Sequence, residues 1–246
     1  MVMVVSSSRV FRPFQLPTVS SAATESPSSS SSSSSLFKNI KRKPRFHRLQ
    51  SQPLVIETAL AETSKEESSL PARRLILLRH AKSSWEDRSL KDHDRPLSKT
   101  GEADAIQVTY KLKELGWIPE LILSSDATRT RQTLKIMQEH VGAFLVAEIH
   151  FISSFYSVAA MDGQTTDHLQ QAICKYARDE ILTVMCMGHN RGWEEAASTL
   201  SGASIQLKTC NAALLEAAGK SWEEAFLLAG RGGWKLQQLV KPNGSP

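Results

Sequence analysis

The sequence is short of cysteine, of aromatic residues and of long apolar runs, and each shortage excludes something. Cys174, Cys186 and Cys210 are the only thiols, odd in number, widely spaced and outside any Cys-x-x-Cys pair. They make neither a disulfide framework nor a zinc-ligand pattern, and they fit a reducing compartment. No apolar stretch approaches the roughly 18 residues that a helix needs to cross a bilayer, so a membrane partner is not expected. Aromatic residues are 7% of the chain, and none forms the basic-aromatic interleaving of a nucleic-acid surface. Acid is scarce in one place only. Of 30 bases and 25 acids in all, residues 1–55 hold eight bases and the single Glu25, leaving 22 and 24 for the rest. The net charge of +5 thus belongs to the leader, and a nucleic-acid partner loses its electrostatic support.

What is present divides into two parts. Residues 1–70 read as a disordered, serine-rich transit peptide and linker, with an unbroken serine run from Ser28 to Ser35. Such a composition buries too little apolar surface to offset the entropy of ordering. Basic, hydroxylated and acid-poor, it predicts a chloroplast address, with the mitochondrion as the alternative. Residues 71–246 carry ordinary globular patterning and read as one domain.

In that domain short apolar runs alternate with helix-period segments. Strands are expected at Leu75–Leu78, Leu121–Leu123, Leu145–Phe151, Ile181–Met187, Ala212–Glu216 and Trp234–Val240. Helices are expected near Thr100–Leu115, from an Asp126 N-cap to His140, at Asp167–Tyr176 and at Gly192–Leu200. Gly230, Gly232 and Gly233 follow a helix-like segment and read as a loop, of the hairpin-turn kind, and Trp193 and Trp222 read as core or interface. The alternation predicts an α/β fold, a single three-layer domain with a mostly parallel sheet flanked by helices.

Ligands of such sheets sit at the carboxyl ends of the strands. There the sequence places Arg79 and His80, then Ser124, Ser125 and Asp126 with Arg129 just beyond, then Gly188, His189 and Asn190. Two histidines and two arginines converge on one edge. Cations so gathered repel a metal ion but suit a phosphate dianion, which arginine's fork grips two oxygens at a time. The helix starting near Asp126 adds its positive end. Neutral imidazole is a competent nucleophile for phosphorus. No metal and no cofactor is expected. Arg131, two residues past Arg129, points away from the edge.

The run Leu78-Arg79-His80-Ala81-Lys82-Ser83-Ser84-Trp85 resembles the Arg-His signature of the histidine phosphatase superfamily, in its SixA-like phosphohistidine phosphatase variant. The likeness continues through Asp94-Arg95-Pro96-Leu97, Gly101, Ser125 to Thr133, and Gly188-His189-Asn190. The resemblance implies that His80 is the nucleophile, transiently phosphorylated. It implies that Arg79 and Arg129 bind phosphoryl oxygens, that His189 is the second catalytic histidine, and that Arg95 and Asn190 contact substrate.

Departures from the family bear on the substrate. Monoesterase relatives carry a glutamate where Ser153 stands here, and an alkoxide leaving group gains much from such an acid. Imidazole leaves more readily, so the expected substrate is phosphohistidine in a protein. Glu148, Asp162 or Asp87 remain as other proton donors, which keeps a small phosphorylated substrate or other phosphoester as the alternative. A non-catalytic phosphate-binding module is the third reading. Arg191 replaces a family proline and is expected to set another cation beside the pocket. Asp126 replaces a second proline and sets an anion there unless it caps its helix.

Overall fold

The computed structural model describes residues 70–243, so the transit-peptide and linker expectation lies outside the described residues. Strand β1 (Ala72–Arg79) runs through the middle of the sheet because its sequence can be buried on both faces. Leu75, Ile76, Leu77 and Leu78 are all fully buried, each contributing about 1.5–3 kcal/mol. Its one buried cation, Arg73, is satisfied by backbone carbonyls, among them Gly219 at 3.0 Å and Ile181 at 2.9 Å.

Around β1 the sheet holds β2 (Leu121–Ser124), β3 (Glu148–Phe151), β4 (Thr183–Gly188), β5 (Ala212–Ala218) and β6 (Lys235–Val240), in the order β3-β2-β4-β1-β5-β6. The first four in that order are parallel, and β5 runs antiparallel to both its neighbours. Ile76 and Leu78 point to one face, against α1 (Lys99–Glu114) and α2 (Thr128–His140). Leu75 and Leu77 point to the other, against α3 (Ser154–Val158), α4 (Thr165–Tyr176), α5 (Gly192–Ser201) and α6 (Trp222–Ala229). The described residues form a three-layer α/β domain with a mostly parallel sheet. Trp193 and Trp222 are both fully buried in its core.

Three local expectations need correction. The third strand starts at Glu148, because Leu145, the last residue of a 3-10 turn at Gly142–Leu145, and Val146 after it lie on the surface. Asp126 does not cap α2. The N-cap is Ala127, with no side-chain bond, and the Asp126 carboxylate is taken by His93 and Ser153. Gly230, Gly232 and Gly233 form a loop after a helix, as expected, but not a hairpin turn, since β5 and β6 are joined through α6.

Register decides what meets at the carboxyl edge. Arg79 pairs with Gly188, and Ser124 with Met187, so β1, β4 and β2 end level with one another. The residues one step beyond are His80, His189 and Ser125. The His80 amide still donates to Gly188 O at 3.0 Å and the Ser125 amide to Met187 O at 2.9 Å, which extends the ladder past the strand ends. Two glycines permit close packing behind this edge. A Cβ on Gly101 would stand 2.2 Å from the Lys82 carbonyl oxygen, and one on Gly188 2.3 Å from the Trp193 ring.

Candidate active site

His80 and His189 stand with ring centroids 5.0 Å apart, each almost wholly buried at the base of a cavity of about 320 Å³. Larger recesses lie between α1 and α2 and between α1 and β6, but neither joins two histidines to an arginine. Nδ1 of His80 is 2.7 Å from the Ala81 carbonyl, which can only accept, so this nitrogen carries the proton. Nε2 is left with its lone pair and accepts from Arg129 Nε at 3.1 Å. His189 has the opposite tautomer. Its Nδ1 accepts from Arg129 Nη2 at 3.1 Å, and its Nε2 donates to Ser125 Oγ at 2.8 Å.

Both rings are held neutral. Burial, seconded by Arg129 and Arg79, pulls the His80 pKa down to about 3. Burial, His80 and Arg129 pull that of His189 to about 2. A neutral imidazole with its lone pair facing guanidinium groups is a nucleophile in its reactive form.

Arg129, in the first turn of α2, ties the site together. Besides the two histidines it donates from Nη1 to the Asp92 carbonyl at 2.5 Å and from Nη2 to Asp92 Oδ2 at 3.0 Å. Tyr156 donates to the same Oδ2 at 2.8 Å. Partial burial alone would raise the Asp92 pKa, but Tyr156 and Arg129 outweigh it and hold the carboxylate below its ordinary range. Next to this group His93 stands between Asp126 and Asp94, at 3.1 and 3.2 Å, which raise its pKa.

Arg79 lines the cavity from β1. Its Nη1 donates to Leu207 O at 2.8 Å, whereas its buried Nε has no partner among the described residues. Asn190 lines the same space, and its buried Oδ1 is likewise unpaired. The unmet Arg79 Nε–H, beside two further cations, Arg129 and Lys82, suits an anion, whereas Asn190 can meet one only through its amide NH2, since its Oδ1 accepts.

Arg95 is set one step back. Its guanidinium stacks 3.5 Å from the Trp85 ring centroid, its Nη1 is 4.0 Å from Asp92 Oδ1, and it is not among the residues lining the cavity. Arg191, expected beside the pocket, does not line it, because its exposed guanidinium turns to Asp162 at 3.8 Å. Arg131 faces away as expected, over the Phe151 ring at 3.8 Å.

Sequence reasoning missed Asp92 and Tyr156. The spacing Asp92-x-x-Arg95-Pro96 was a signal for the first. For Tyr156 no local signal existed, since only the fold of α3 brings it to Asp92.

Residues 75–180 match the model of the histidine phosphatase superfamily, branch 1. An uncharacterized chloroplastic protein of Arabidopsis thaliana is 67% identical over 187 residues, 76% of this chain and 86% of its own. The chain belongs to the histidine phosphatase superfamily. Within that superfamily, a solved SixA structure from Agrobacterium tumefaciens is 25% identical, with a TM-score of 0.53 over 70% of this chain and 99% of that one. The protein histidine phosphatase SixA in complex with tungstate shares the fold at 17% identity and a TM-score of 0.54, over 69% of this chain and 97% of its own. GpmB of Shigella dysenteriae, named for phosphoglycerate mutase, is 37% identical over 75 residues, about a third of either chain.

Proposed function

We propose that this domain is a metal-independent phosphatase that works through phospho-His80, with phosphohistidine in a protein as substrate. The observation that carries the reading is the His80 ring, its Nδ1 proton fixed on Ala81 O and its Nε2 lone pair turned to Arg129. In this reading Nε2 attacks phosphorus and the bond to the leaving group breaks, its electron pair going with that group. Water then displaces His80 and releases phosphate. Arg79 and Arg129 neutralise the phosphoryl oxygens, Asn190 contacts them through its amide NH2, and His189, its Nδ1 released by Arg129 and protonated as Ser125 turns to donate to Nε2, bonds the group as charge moves onto it. Arg95 acts from behind, through Trp85 and Asp92.

Substrate choice is supported by what the carboxylates do. Ser153, at the position of the monoesterase glutamate, donates to Asp126 Oδ2 at 2.8 Å. Glu148 is bound to His150 and Arg178, Asp162 to Arg191, and Asp87 to Ser89, and none of the three lines the cavity. A substrate whose leaving group asks little of an acid fits such a site. The SixA structures bear the name of phosphohistidine phosphatases, and the chloroplastic designation of the Arabidopsis relative supports a plastid address.

The test compares initial rates on a phosphohistidine peptide and on p-nitrophenyl phosphate in EDTA, for the wild-type chain and His80→Ala. Preference for the peptide, abolished in the variant, is expected. Preference for the ester points to the small-phosphoester reading, and equal rates of variant and wild type overturn the nucleophile.

A further inference from the structure

Among the described residues that line the cavity there is one acid, Asp92. The same residue, with Arg129, His189 and Asn190, lines a second recess of about 260 Å³ beside Tyr156. A fixed carboxylate here is unfavourable for an anionic substrate, since it repels the phosphoryl group that Arg79 and Arg129 attract. Holding Arg129 does not account for both of its oxygens. The main-chain carbonyl and Oδ2 do that work, and Tyr156 also bonds Oδ2. Among the described residues Oδ1 has only Arg95 Nη1, at 4.0 Å, too long for a hydrogen bond. The Asp92 side chain is about half exposed, with one carboxylate oxygen free to accept.

A free acceptor of negative charge beside a phosphoryl site is matched by an N–H of positive charge attached to phosphorus through the same ring. We infer that Asp92 is a specificity-determining residue, accepting at Oδ1 the ring N–H of a protonated phosphohistidine and selecting it over anionic esters. The inference rests on the phosphohistidine reading above and deepens it.

The chemistry closes without an outside acid. The His80 Nε2 lone pair forms the new P–N bond, and the substrate's P–N bond breaks. Its electron pair stays on the ring nitrogen that held phosphorus, and the proton on the other ring nitrogen remains in place. The ring leaves as neutral imidazole. Without that proton it has to leave as imidazolide, a far poorer leaving group. A carboxylate on the N–H favours the protonated ring and keeps it populated to higher pH. This accounts for a site that works with Ser153 where an acid is otherwise needed: the substrate brings the proton, and Asp92 holds it.

Several charged groups share this space and set the control. Arg129 from α2, Tyr156 from α3 and Arg95 from its own segment face Asp92, with His93 behind Tyr156. Across the cavity stand Arg79 at the end of β1, His80 and Lys82 just after it, and His189 after β4. Ionisation of any of these affects every substrate, whereas ionisation of the substrate ring affects only phosphohistidine.

The experiment measures kcat/KM of the full chain from about pH 6 to about pH 9, on a phosphohistidine peptide and on p-nitrophenyl phosphate, for wild type and Asp92→Asn. In the wild type an alkaline limb is expected with the peptide and not with the ester. In the variant the peptide-to-ester ratio is expected to fall about tenfold or more, as for loss of one charge-assisted hydrogen bond, and the limb to move to lower pH. An equal loss on both substrates makes Asp92 merely a holder of Arg129 and overturns the inference. So does an unshifted limb. Should the variant not fold, the wild-type profiles still decide, because absence of the substrate-specific limb is equally fatal. Failure of the parent reading looks different: no His80-dependent hydrolysis of the peptide by the wild type at any pH.

Discussion

Arg129 donates from Nε to His80 Nε2 at 3.1 Å and from Nη2 to His189 Nδ1 at 3.1 Å, so one guanidinium fork spans both histidines. In the proposed reaction an arriving phosphoryl group takes over these hydrogens and frees the His80 Nε2 lone pair. Lysine has a single ammonium and cannot span the pair. Arg129→Lys is therefore expected to lower kcat/KM by about 10²–10³, close to the loss from Arg129→Ala and to that from removing one donor of an oxyanion site. Steady-state kinetics on either substrate checks it. Arg95→Ala, acting through Trp85, is expected to cost less.

Ser125 orients the second histidine. Its hydroxyl accepts from His189 Nε2 at 2.8 Å, which leaves the Nδ1 lone pair for Arg129. Ser125→Ala is expected to lower kcat about tenfold, the worth of one buried hydrogen bond, while Ser125→Thr retains most of it. Equal kcat in the alanine variant and the wild type contradicts this positioning.

Acid should destabilise the fold through the same rings. Their folded pKa values, about 3 for His80 and about 2 for His189, lie below the unfolded value of 6.5. Below pH 6.5 the unfolded chain binds protons that the folded one refuses, so stability falls as pH falls and is unaffected by these groups above that value. Between pH 6.5 and pH 5 each ring accounts for at most about 2 kcal/mol. Urea unfolding at the two pH values checks this. The double variant His80→Gln, His189→Gln should show a flatter dependence.

Gly101 is a packing requirement for the loop after His80. An added Cβ meets the Lys82 carbonyl oxygen at 2.2 Å, a backbone atom that cannot swing aside. Gly101→Ala is expected to cost about 1–3 kcal/mol in urea unfolding and to lower activity by displacing Ala81 and Lys82. An alanine variant as stable as the wild type overturns it.

The thiols should play no part. Burial pushes Cys174 up to about 11 and raises Cys186 and Cys210 further. Iodoacetamide near pH 7 is expected to leave activity intact.

The sheet and the side chains gathered at its carboxyl edge were legible in the sequence because both are local matters. An unbroken run such as Leu75–Leu78 reads as a strand buried on both faces, and a residue next to a strand end has nowhere to go but the edge. His80, Arg79, His189 and Asn190 follow from that rule, and Arg129 from the helix that begins after β2. Where burial was not local, the reading slipped. Leu145 and Val146 are as apolar as a strand should be, yet the sheet ends at β3 with no layer over them. Asp126 has the chemistry of an N-cap, but His93 and Ser153 arrive from distant segments and bind it more fully than its own helix does. Arg191 is adjacent to a pocket residue in the chain, and its long side chain reaches water and Asp162 instead. Chain order determined which groups stand at the edge. Only the packing of α3 and the Asp92–Asp94 turn against α2 decided that a carboxylate stands among them, held by Tyr156 and Arg129 across more than thirty residues of chain.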